Sequence, residues 1–283
     1  MNPELSGVLS VVALPIGNAD DLSPRAGAVL RAAGLIAAED TRRARPLLAA
    51  IGAGARLVSY HEHNEEAASR SVLEALRAGT DVALISDAGT PLVSDPGFRI
   101  VQAAHREGVR VVPVPGACAA VVALSASGLG GAGFAFDGFP PRKAAARRAW
   151  FSERVAEPRT LIFYESAHRI VASVRDMAEV LGAGREATLA RELTKTYETV
   201  RHGTLGSLLD YLNEDENHTR GEFVVLVAPA PQAGTDQASA DRLLRALAGE
   251  LPATAAARVA ARVTGLSRQD LYRRALELGD KTD

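Results

Sequence analysis

The stretch VALISDAGTPLVSDPG, residues 82–97, joins a short apolar run to a polar loop that contains glycine and proline. Val82–Ile85 has the length and composition of a strand buried on both faces. The loop places a carboxylate, Asp87, and a glycine, Gly89, directly after that strand. In open α/β sheets ligands bind beyond the carboxyl ends of the strands, and glycine permits a close backbone approach. The stretch therefore predicts a strand that leads into a binding loop, with a tight turn at Gly89 as the purely structural alternative.

The same pattern recurs through residues 1–127, for which we predict an N-terminal α/β domain. Helical patterns separate the apolar runs, and the pairs Ser23-Pro24 and Asp95-Pro96 each open one of the predicted helices. Strands that alternate with helices imply a mostly parallel sheet covered on both faces. The predicted strands of this domain are Val8–Leu14, Leu35–Ala38, Arg56–Tyr60, Val82–Ile85 and Val109–Val114.

Residues 128–228 repeat the α/β pattern and are predicted to form a second α/β domain. The glycine-rich segment Gly128–Gly138 is predicted as the linker between the domains. Its G-x-G-x-x-G spacing lacks the preceding strand and following helix that a dinucleotide-binding fingerprint requires. Beyond it the sequence predicts two helices, Arg142–Val155 and Ala167–Leu181, and strands at Thr160–Tyr164, Ala187–Ala190, Thr199–His202 and Phe223–Ala228.

Residues 229–240 have the composition of a flexible linker, and residues 241–283 are predicted as a small domain of three short helices. The last two predicted helices are separated by a turn that contains Gly265. Ser267 and Asp270 form a pair like a capping box at the start of the last helix. This arrangement suggests a helix-turn-helix, with a packing or dimer-supporting helical hairpin as the alternative.

The overall composition limits the class of protein. The 283 residues carry a net charge of −2, so any contact with nucleic acid must use local basic clusters rather than the overall charge. The single cysteine, Cys118, permits no internal disulfide, and no segment resembles a signal peptide or a membrane span, so we expect a cytoplasmic protein. His61 and His63 lack further ligands at usual spacing, so no metal site is expected.

Three basic clusters are present, and a solvated helix face is the alternative explanation for each of them. They are Arg42, Arg43 and Arg45; Arg142, Lys143, Arg147 and Arg148; and Arg258, Arg262, Arg268, Arg273 and Arg274.

A series of motifs resembles one known family, the 16S ribosomal RNA cytidine-2′-O-methyltransferases, which are the RNA-modifying branch of the tetrapyrrole methylase superfamily. The resemblance covers about residues 8–228, and the tail is also similar to the small helical domain of that family. Each motif is modest alone, but their shared order is specific. The motifs are LPIGN (14–18), AEDTR (38–42), SYHEHNE (59–65), SDAGTPLVSDPG (86–97), PGACA (115–119), GFPPRK (138–143), FYESAHR (163–169), ARELTK (190–195) and GEFVVLV (221–227).

The resemblance implies an α/β fold of two αβα domains that hold S-adenosylmethionine in the cleft between them, usually in a homodimer. It also implies 2′-O-methylation of a cytidine ribose in 16S rRNA of the small ribosomal subunit, in the decoding region. Cys118 stands where the family usually has serine, and Ala167 replaces the usual proline. The cofactor-binding residues implied by position are Leu14, Pro15, Asp87, Ala88, Gly89, Ala117, Cys118, Tyr164, Glu165, Ala190, Gly221 and Glu222.

The implied reaction is an in-line attack of the ribose 2′-oxygen on a sulfonium methyl group, for which positioning supplies much of the acceleration. A nearby base would accept the hydroxyl proton, although a mechanism without a strong base remains open. The candidate catalytic residues are Glu62, His63, Glu165, Glu192 and Lys195, and the last of these is also a candidate phosphate contact. The other candidate RNA-binding residues are Arg42, Arg142, Lys143 and Arg169.

Two other functions compete with this hypothesis. One is an enzyme of the same fold that methylates a tetrapyrrole or another small acceptor. The segments Glu62–Asn64, His168–Arg169 and Glu192–Lys195 argue against it, because they are features of the RNA branch. The other is a non-catalytic RNA-binding assembly factor, which measurable cofactor binding and turnover would exclude.

Overall fold

The computed structural model describes residues 7–130, 133–231, 237–248 and 250–279. The chain divides into two compact units, Met1–Ala228 and Pro229–Asp283. The first unit contains two five-stranded sheets. The first sheet consists of parallel strands in the order β3-β2-β4-β1-β5. These strands are β1 (Leu9–Val12), β2 (Leu35–Ala38), β3 (Arg56–Ser59), β4 (Val82–Ile85) and β5 (Val111–Val114).

Helices cover both faces of the first sheet, as the alternating pattern predicts. Leu9, Ala37 and Leu84 pack on the face covered by α3 (Glu65–Arg77) and α4 (Phe98–Arg106). Ile36 and Ala83 pack on the opposite face, which is covered by α1 (Pro24–Ala32) and α2 (Thr41–Ala50). Because both faces are buried, the strands read as continuous apolar runs rather than as alternating ones. The remaining helix of this half is α5 (Ala119–Ala126).

The two predicted helix starts of this half differ in outcome. The prediction for α1 is confirmed: Ser23 is the N-cap, and its Oγ accepts the N–H of Ala26 at 3.1 Å. The predicted start at Asp95 and Pro96 is wrong, because α4 begins only at Phe98. Gly97 makes the turn before it with φ +130°, and a Cβ there would lie 2.8 Å from Leu84 Cδ2. Asp95 therefore precedes the turn and is free to face another part of the molecule.

The second sheet has the order β6-β7-β10-β8-β9, in which β6 and β7 are parallel and the other pairs are antiparallel. Its first strand corrects the predicted linker Gly128–Gly138, because residues 134–138 pair with β7 instead of connecting domains. The large apolar residues Phe134 and Phe136 are two positions apart, which is the spacing of a strand, but the high glycine content of the segment favoured a linker instead. Gly131 and Ala132 lie outside the described residues. The strands are β6 (Phe134–Gly138), β7 (Thr160–Ser166), β8 (Glu186–Arg191), β9 (Thr199–Thr204) and β10 (Glu222–Val227).

Three helices, α6 (Ala144–Ser152), α7 (Ile170–Leu181) and α8 (Leu205–Glu214), lie on one face of the second sheet. The first two are shorter than predicted, and α8 was not predicted at all. Its signal is a reciprocal cap at Thr204 and Ser207. The opposite face packs against α5, which falls within the predicted N-terminal domain. We retain residues 1–127 and 128–228 as the proposed bounds of the two α/β domains. Helix α5 belongs to the first domain by sequence and packs against the sheet of the second.

The second unit contains the three helices that the tail predicts: α9 (Gln237–Ala248), α10 (Ala253–Thr264) and α11 (Arg268–Gly279). Leu244, Ala260 and Leu271 form part of its own small core. Gly265, at φ +70°, ends α10, and Ser267 Oγ accepts the N–H of Asp270 at 3.5 Å. Residues 232–236 of the predicted linker and residues 280–283 of the tail lie outside the described residues. None of the helices that the structure describes is long and apolar enough to cross a bilayer.

A buried ion pair joins α6 to α7 and changes the interpretation of one basic cluster. Arg147 donates to Asp176 Oδ2 from Nε at 2.7 Å, and both side chains are nearly inaccessible. Arg148 donates to Asp176 Oδ1 at 3.2 Å. Two of the four cations in the cluster that begins at Arg142 therefore hold the fold together, and the other two, Arg142 and Lys143, are exposed.

We predict that Asp176→Ala lowers the free energy of unfolding by about 3–5 kcal/mol, because it leaves Arg147 buried without a countercharge. Urea denaturation measures the change. Asp210→Ala removes an exposed carboxylate from α8 and serves as the control, with an expected change within about 0.5 kcal/mol. Equal stability of the two variants would contradict the role assigned to Asp176.

A candidate active site between the two sheets

A cleft with a volume of about 290 Å³ lies between the carboxyl ends of the first sheet and one face of the second. Small-molecule sites are usually concave, with volumes of roughly 300–1,000 Å³ and a few polar groups among apolar ones. Ile16, Ala88 and Cys118 come from the loops of the first sheet, whereas Tyr164 and Val224 come from the second. Loops that follow strands of the first sheet therefore meet residues of the second sheet at one place.

Backbone hydrogen bonds join the three loops of the first wall. Leu14 and Gly89 exchange two of them, with N···O distances of 2.8 and 3.1 Å. Thr90 Oγ1 donates to the carbonyl oxygen of Ala117 at 2.9 Å. Gly89 has φ +73°, and a Cβ there would lie 3.2 Å from Ile16 Cγ2. Glycine at this position allows the loops to approach closely, so that backbone atoms form much of the wall.

Asp87 does not line the cleft, although it directly precedes residues that do. Its Oδ1 accepts the N–H of Asp40 at 3.0 Å, and its Oδ2 pairs with Arg43 at 3.1 Å. The side chain therefore ties the loop after β4 to the start of α2. Arg42 lies at that helix start with its side chain 88% exposed, and hydrogen bonds to Asp40 raise its pKa.

Asp95 is the acidic side chain that the same loop does place in the cleft. Burial raises the pKa of Asp95 to about 6, and the negative charge of Glu39 adds to this effect, against a hydrogen bond with Ser86. Near this residue the backbone takes positive φ at Leu92 (71°) and Ser94 (70°), a conformation that costs free energy for residues other than glycine. Such strain is concentrated at functional sites in proteins.

Tyr164 is an aromatic residue of the opposite wall. Its hydroxyl oxygen accepts the N–H of Ala120 at 3.1 Å, which connects β7 to α5. Burial, followed by the neighbouring Cys118, raises the pKa of Tyr164 well above its ordinary value. The ring makes edge-to-face contacts with Phe136 at 4.7 Å and with Phe139 at 5.6 Å. Phe139 remains 54% exposed and lines the cleft.

Glu165, a candidate base from sequence, has a fully buried side chain that is saturated with hydrogen bonds. Oε1 accepts the N–H of Ser166 at 2.8 Å, and Oε2 accepts from Ser173 at 2.6 Å and from Arg169 at 3.0 Å. Arg169 also donates to the carbonyl of Pro140 at 2.5 Å. These contacts argue against a base at Glu165 and a phosphate contact at Arg169, because both side chains are used to position the ends of β6 and β7.

Lys195 is the cation of the second wall and is held by two carboxylates. Its Nζ donates to Glu192 Oε1 at 2.9 Å and to Glu222 Oε2 at 2.8 Å. Burial opposes its charge, but hydrogen bonds to Glu222 and Glu192 outweigh burial and raise the pKa of Lys195. Burial likewise opposes the charge of Glu192, but the hydrogen bonds from Lys195 and from the backbone of Glu222 lower its pKa. Both groups are charged at neutral pH, which makes Glu192 a poor base and Lys195 an electrostatic anchor.

Gly221 lies behind this network rather than in the cleft. It has φ +99°, and a Cβ there would lie 2.5 Å from Glu192 Cγ. Because Gly221 has no Cβ, the Glu192 side chain can lie close enough for its Oε1 to accept the N–H of Glu222 at 2.9 Å. Glu192 and Thr194 have positive φ themselves, at 49° and 65°. Strained backbone therefore flanks the cleft on both walls.

The residues predicted to bind the cofactor divide into two groups. Those that line the cleft are Ala88, Gly89, Cys118, Tyr164, Glu165, Ala190 and Glu222. Those that do not line it are Leu14, Pro15, Asp87, Ala117 and Gly221. Leu14 and Ala117 contact lining residues through backbone oxygen atoms, so they lie immediately behind the surface.

Other candidates lie elsewhere, and several lining residues were missed. Glu62 and His63 are exposed and do not line the cleft, so the structure does not bring them to the other candidates. Within the described part of the chain, no three His, Cys, Asp or Glu side chains are grouped as metal ligands. The missed lining residues include Ile16, Thr90, Val93, Ser94, Asp95, Phe139, Leu193 and Val224. All eight of these residues lie within the quoted motifs, but only the folded structure reveals that they line the cleft.

Comparison with known proteins agrees with this architecture. Residues 8–209 match the family described as Tetrapyrrole (Corrin/Porphyrin) Methylases, and residues 234–279 match the RsmI C-terminal HTH domain. The two-sheet fold is that of this methylase class. The chain belongs to the tetrapyrrole methylase family and, within it, to the branch of proteins named ribosomal RNA small subunit methyltransferase I.

Two relatives place the chain in that branch. The ribosomal RNA small subunit methyltransferase I of Pseudomonas aeruginosa is 50% identical over 281 residues, which are 98% of this chain and 99% of the relative. The protein of the same name from Escherichia coli O157:H7 is 47% identical over 272 residues, which are 96% and 95% of the two chains.

Solved structures support the fold alone, because their sequence identities are low. The methyltransferase CobJ has a TM-score of 0.59 and 22% identity, with coverage of 80% of this chain and 95% of that one. A uroporphyrin-III C-methyl transferase from Thermus thermophilus has a TM-score of 0.53 and 20% identity, with coverage of 79% and 98%. That protein was solved in complex with S-adenyl homocysteine.

We predict that Asp87→Ala weakens the binding of S-adenosylmethionine about tenfold, equivalent to about 1.4 kcal/mol, without unfolding the protein. The variant releases the loop after β4 from the backbone of α2, so the wall loses its fixed geometry. Calorimetry measures the affinity, and a thermal melt checks the fold. Arg43→Ala removes only the exposed partner and should leave the affinity nearly unchanged. Equal affinities of the parent and Asp87→Ala would disprove this role.

Proposed function

We propose that this protein transfers a methyl group from S-adenosylmethionine to the 2′-hydroxyl of a cytidine ribose in 16S rRNA of the small ribosomal subunit. The observation that carries the proposal is full-length similarity, at 44–50% identity, to relatives named ribosomal RNA small subunit methyltransferase I. The cleft between the sheets supplies a site for the reaction. The family resemblance further supports action in the cytoplasm as a homodimer.

The cleft suits S-adenosylmethionine in shape and in chemistry. Gly89 has no Cβ, so the space next to Ile16 stays open. The backbone atoms of Gly89 therefore line the first wall of the cleft. Glu222 adds a carboxylate at the edge of the cleft that complements a ligand with sulfonium and ammonium charges. Residues that would hold the cofactor are Ala88, Gly89, Thr90, Cys118, Tyr164, Ala190 and Glu222.

When bound, S-adenosylmethionine supplies an electrophilic methyl group, and the protein has to align the ribose hydroxyl with it and exclude competing water. Tyr164 fixes the spacing of the two walls through its hydrogen bond to Ala120. Lys195 keeps a positive charge at the second wall, where it suits a phosphate or sugar oxygen of the RNA. Glu192 and Glu222 hold that ammonium in place.

The mouth of the cleft has features that suit a nucleotide. Phe139 is exposed there, and an aromatic ring at such a position can stack with an unpaired base. Arg142 and Lys143 follow it in the chain and are exposed at the start of α6. We retain these two cations as phosphate contacts, together with Arg42. An extended basic surface of this kind favours a folded RNA over a small acceptor such as a tetrapyrrole.

The C-terminal unit offers a second basic surface. Arg258, Arg262 and Arg268 are exposed in α10 and α11. Arg274, in contrast, pairs with Asp241 at 2.5 Å, which fixes α11 on α9. Arg273 pairs with Asp270. The predicted cluster of five therefore contains three cations that are available to RNA phosphates.

The decisive experiment maps ribose 2′-O-methylation in 16S rRNA from cells with and without the gene, and then tests restoration with the purified protein. The proposal expects one cytidine methylation that disappears with the gene and returns when small subunits are incubated with protein and S-adenosylmethionine. An unchanged rRNA methylation pattern would reject the function. Turnover on a tetrapyrrole instead would favour the alternative of an enzyme that methylates a small acceptor. Cofactor binding without any turnover would favour the alternative of a non-catalytic assembly factor.

We predict that the protein methylates small ribosomal subunits faster than a short oligonucleotide that contains the same cytidine. The exposed cations lie in separate segments, so a large folded RNA surface engages more of them than a short strand does. Transfer of a radiolabelled methyl group measures both rates. Equal rates on the two substrates would refute recognition of an extended surface.

We predict that replacement of Arg258, Arg262 and Arg268 by glutamine weakens RNA binding at low salt and leaves cofactor affinity unchanged. Three lost phosphate contacts make the slope of log K against log salt shallower by about 2–3. Filter binding at a series of salt concentrations measures the slope. The matched control replaces Arg70, Arg106 and Arg110, which are exposed in the first half of the chain. The same slope in both triple variants would exclude a specific role for the C-terminal arginines.

A further inference from the structure

We propose that Asp95 is the catalytic group that accepts the proton of the ribose 2′-hydroxyl. The inference rests on the proposed function and adds a residue that the sequence had assigned to a helix start. Because α4 begins only at Phe98, Asp95 belongs to the cleft wall instead.

The two other carboxylates of the cleft, Glu165 and Glu222, and the phenol of Tyr164 are committed to other contacts. Glu165 accepts three hydrogen bonds and is buried away from solvent. Glu222 lies at the exposed edge of the cleft and is paired with Lys195. The raised pKa of Lys195 keeps the lysine ammonium group protonated. Tyr164 has a raised pKa and a structural hydrogen bond. Asp95 has no ion pair among the residues that the structure describes, so its carboxylate is the one available for proton transfer.

The groups that act most strongly on the carboxylate of Asp95 are neutral or acidic. Glu39 comes from the end of β2, Asp87 from its own loop, and Tyr164 from β7 across the cleft, while Ser86 contributes a hydroxyl. Burial and the two carboxylates raise the pKa of Asp95 to about 6. A base of this strength is mostly ionised at neutral pH and still has appreciable affinity for a proton.

The position of Asp95 is fixed by its loop rather than by a countercharge. Gly97 N–H donates to Glu65 Oε1 at 3.2 Å, which attaches the end of the loop to the start of α3. Gly138, before Phe139, approaches the same loop so closely that a Cβ there would lie 3.1 Å from Ser94 Oγ. The proposed stacking ring and the proposed base therefore lie next to one contact between the two walls.

The chemical balance of the step is simple. The ribose O2′ forms a bond to the methyl carbon as the sulfur–carbon bond breaks, and that electron pair remains on sulfur. The hydroxyl proton passes to an Oδ atom of Asp95, which returns it to solvent after product release. No oxidant, reductant or metal is needed for the balance.

The test compares the parent with Asp95→Asn and Asp95→Glu, with small ribosomal subunits from cells that lack the gene as substrate. Asparagine preserves size but cannot accept the proton, so kcat should fall by about 10²–10⁴. The parent's kcat should decline below pH of about 6, and this acid limb should be absent from the residual activity of Asp95→Asn. Asp95→Glu retains a carboxylate and should recover part of the activity. Asp210→Asn on α8 is the matched control and should behave as the parent.

Two readouts do not depend on turnover. Calorimetry with S-adenosylhomocysteine should give nearly the same affinity for Asp95→Asn and the parent. In the folded protein the pKa of the Asp95 carboxyl is raised from 3.8 to about 6. Its negative charge therefore destabilises the folded state increasingly as the pH rises from 3.8 to about 6, and the full destabilisation is present above that pH. Asp95→Asn removes this charge and should therefore melt no lower than the parent at pH 8.

The possible failures are distinguishable. A kcat of Asp95→Asn near that of the parent, or an unchanged acid limb, would overturn the assignment while the proposed function stands. A large loss of S-adenosylhomocysteine affinity would overturn it in favour of a cofactor contact. Absence of ribose methylation by the parent would reject the proposed function itself.

Discussion

The two hydrogen bonds between the backbones of Leu14 and Gly89 fix the geometry on which the site depends. They join the loops after β1 and β4, two neighbouring strands of the first sheet, at the point where the strands end. Thr90 extends the connection to the loop after β5. Because Gly89 has positive φ and no Cβ, the loops approach more closely than side chains would allow. The first wall is therefore set largely by main-chain geometry.

The second wall depends on side chains instead. Successive side chains of a β-strand point to opposite faces of the sheet, so the neighbours Tyr164 and Glu165 of β7 face opposite directions. Tyr164 faces the cleft and contacts α5, whereas Glu165 binds Ser173 and Arg169 in the helical layer. The ion-pair network around Lys195 is similarly held by Glu192 and by the backbone of Glu222. A preorganised charge of this kind has little to reorganise during a reaction, which is how electrostatic stabilisation becomes effective.

Much of the first sheet could be predicted because its strands are short, apolar and bounded by glycine, proline or polar residues. Leu35–Ala38 and Val82–Ile85 agree with the structure to the residue. The strand Phe134–Gly138 was missed because its glycine-rich surroundings resemble a linker, and its pairing partner lies more than twenty residues away. The helix Leu205–Glu214 was missed although Thr204 and Ser207 form a cap. Local composition therefore predicted the strands of the parallel first sheet better than those of the second sheet, which contains both parallel and antiparallel pairs.

The sequence by itself determined the α/β class, the position of the polar loops after the strands and the resemblance that indicates the family. Those features are local, because periodicity and turn residues act over a few positions along the chain. Only the tertiary structure decided which side chains of those loops face the cleft. Asp95 and Asp87 occur in one motif, yet the turn at Gly97 leaves the first in the cleft while Asp40 and Arg43 hold the second outside it. That choice depends on contacts between residues far apart in the chain, which no local pattern records.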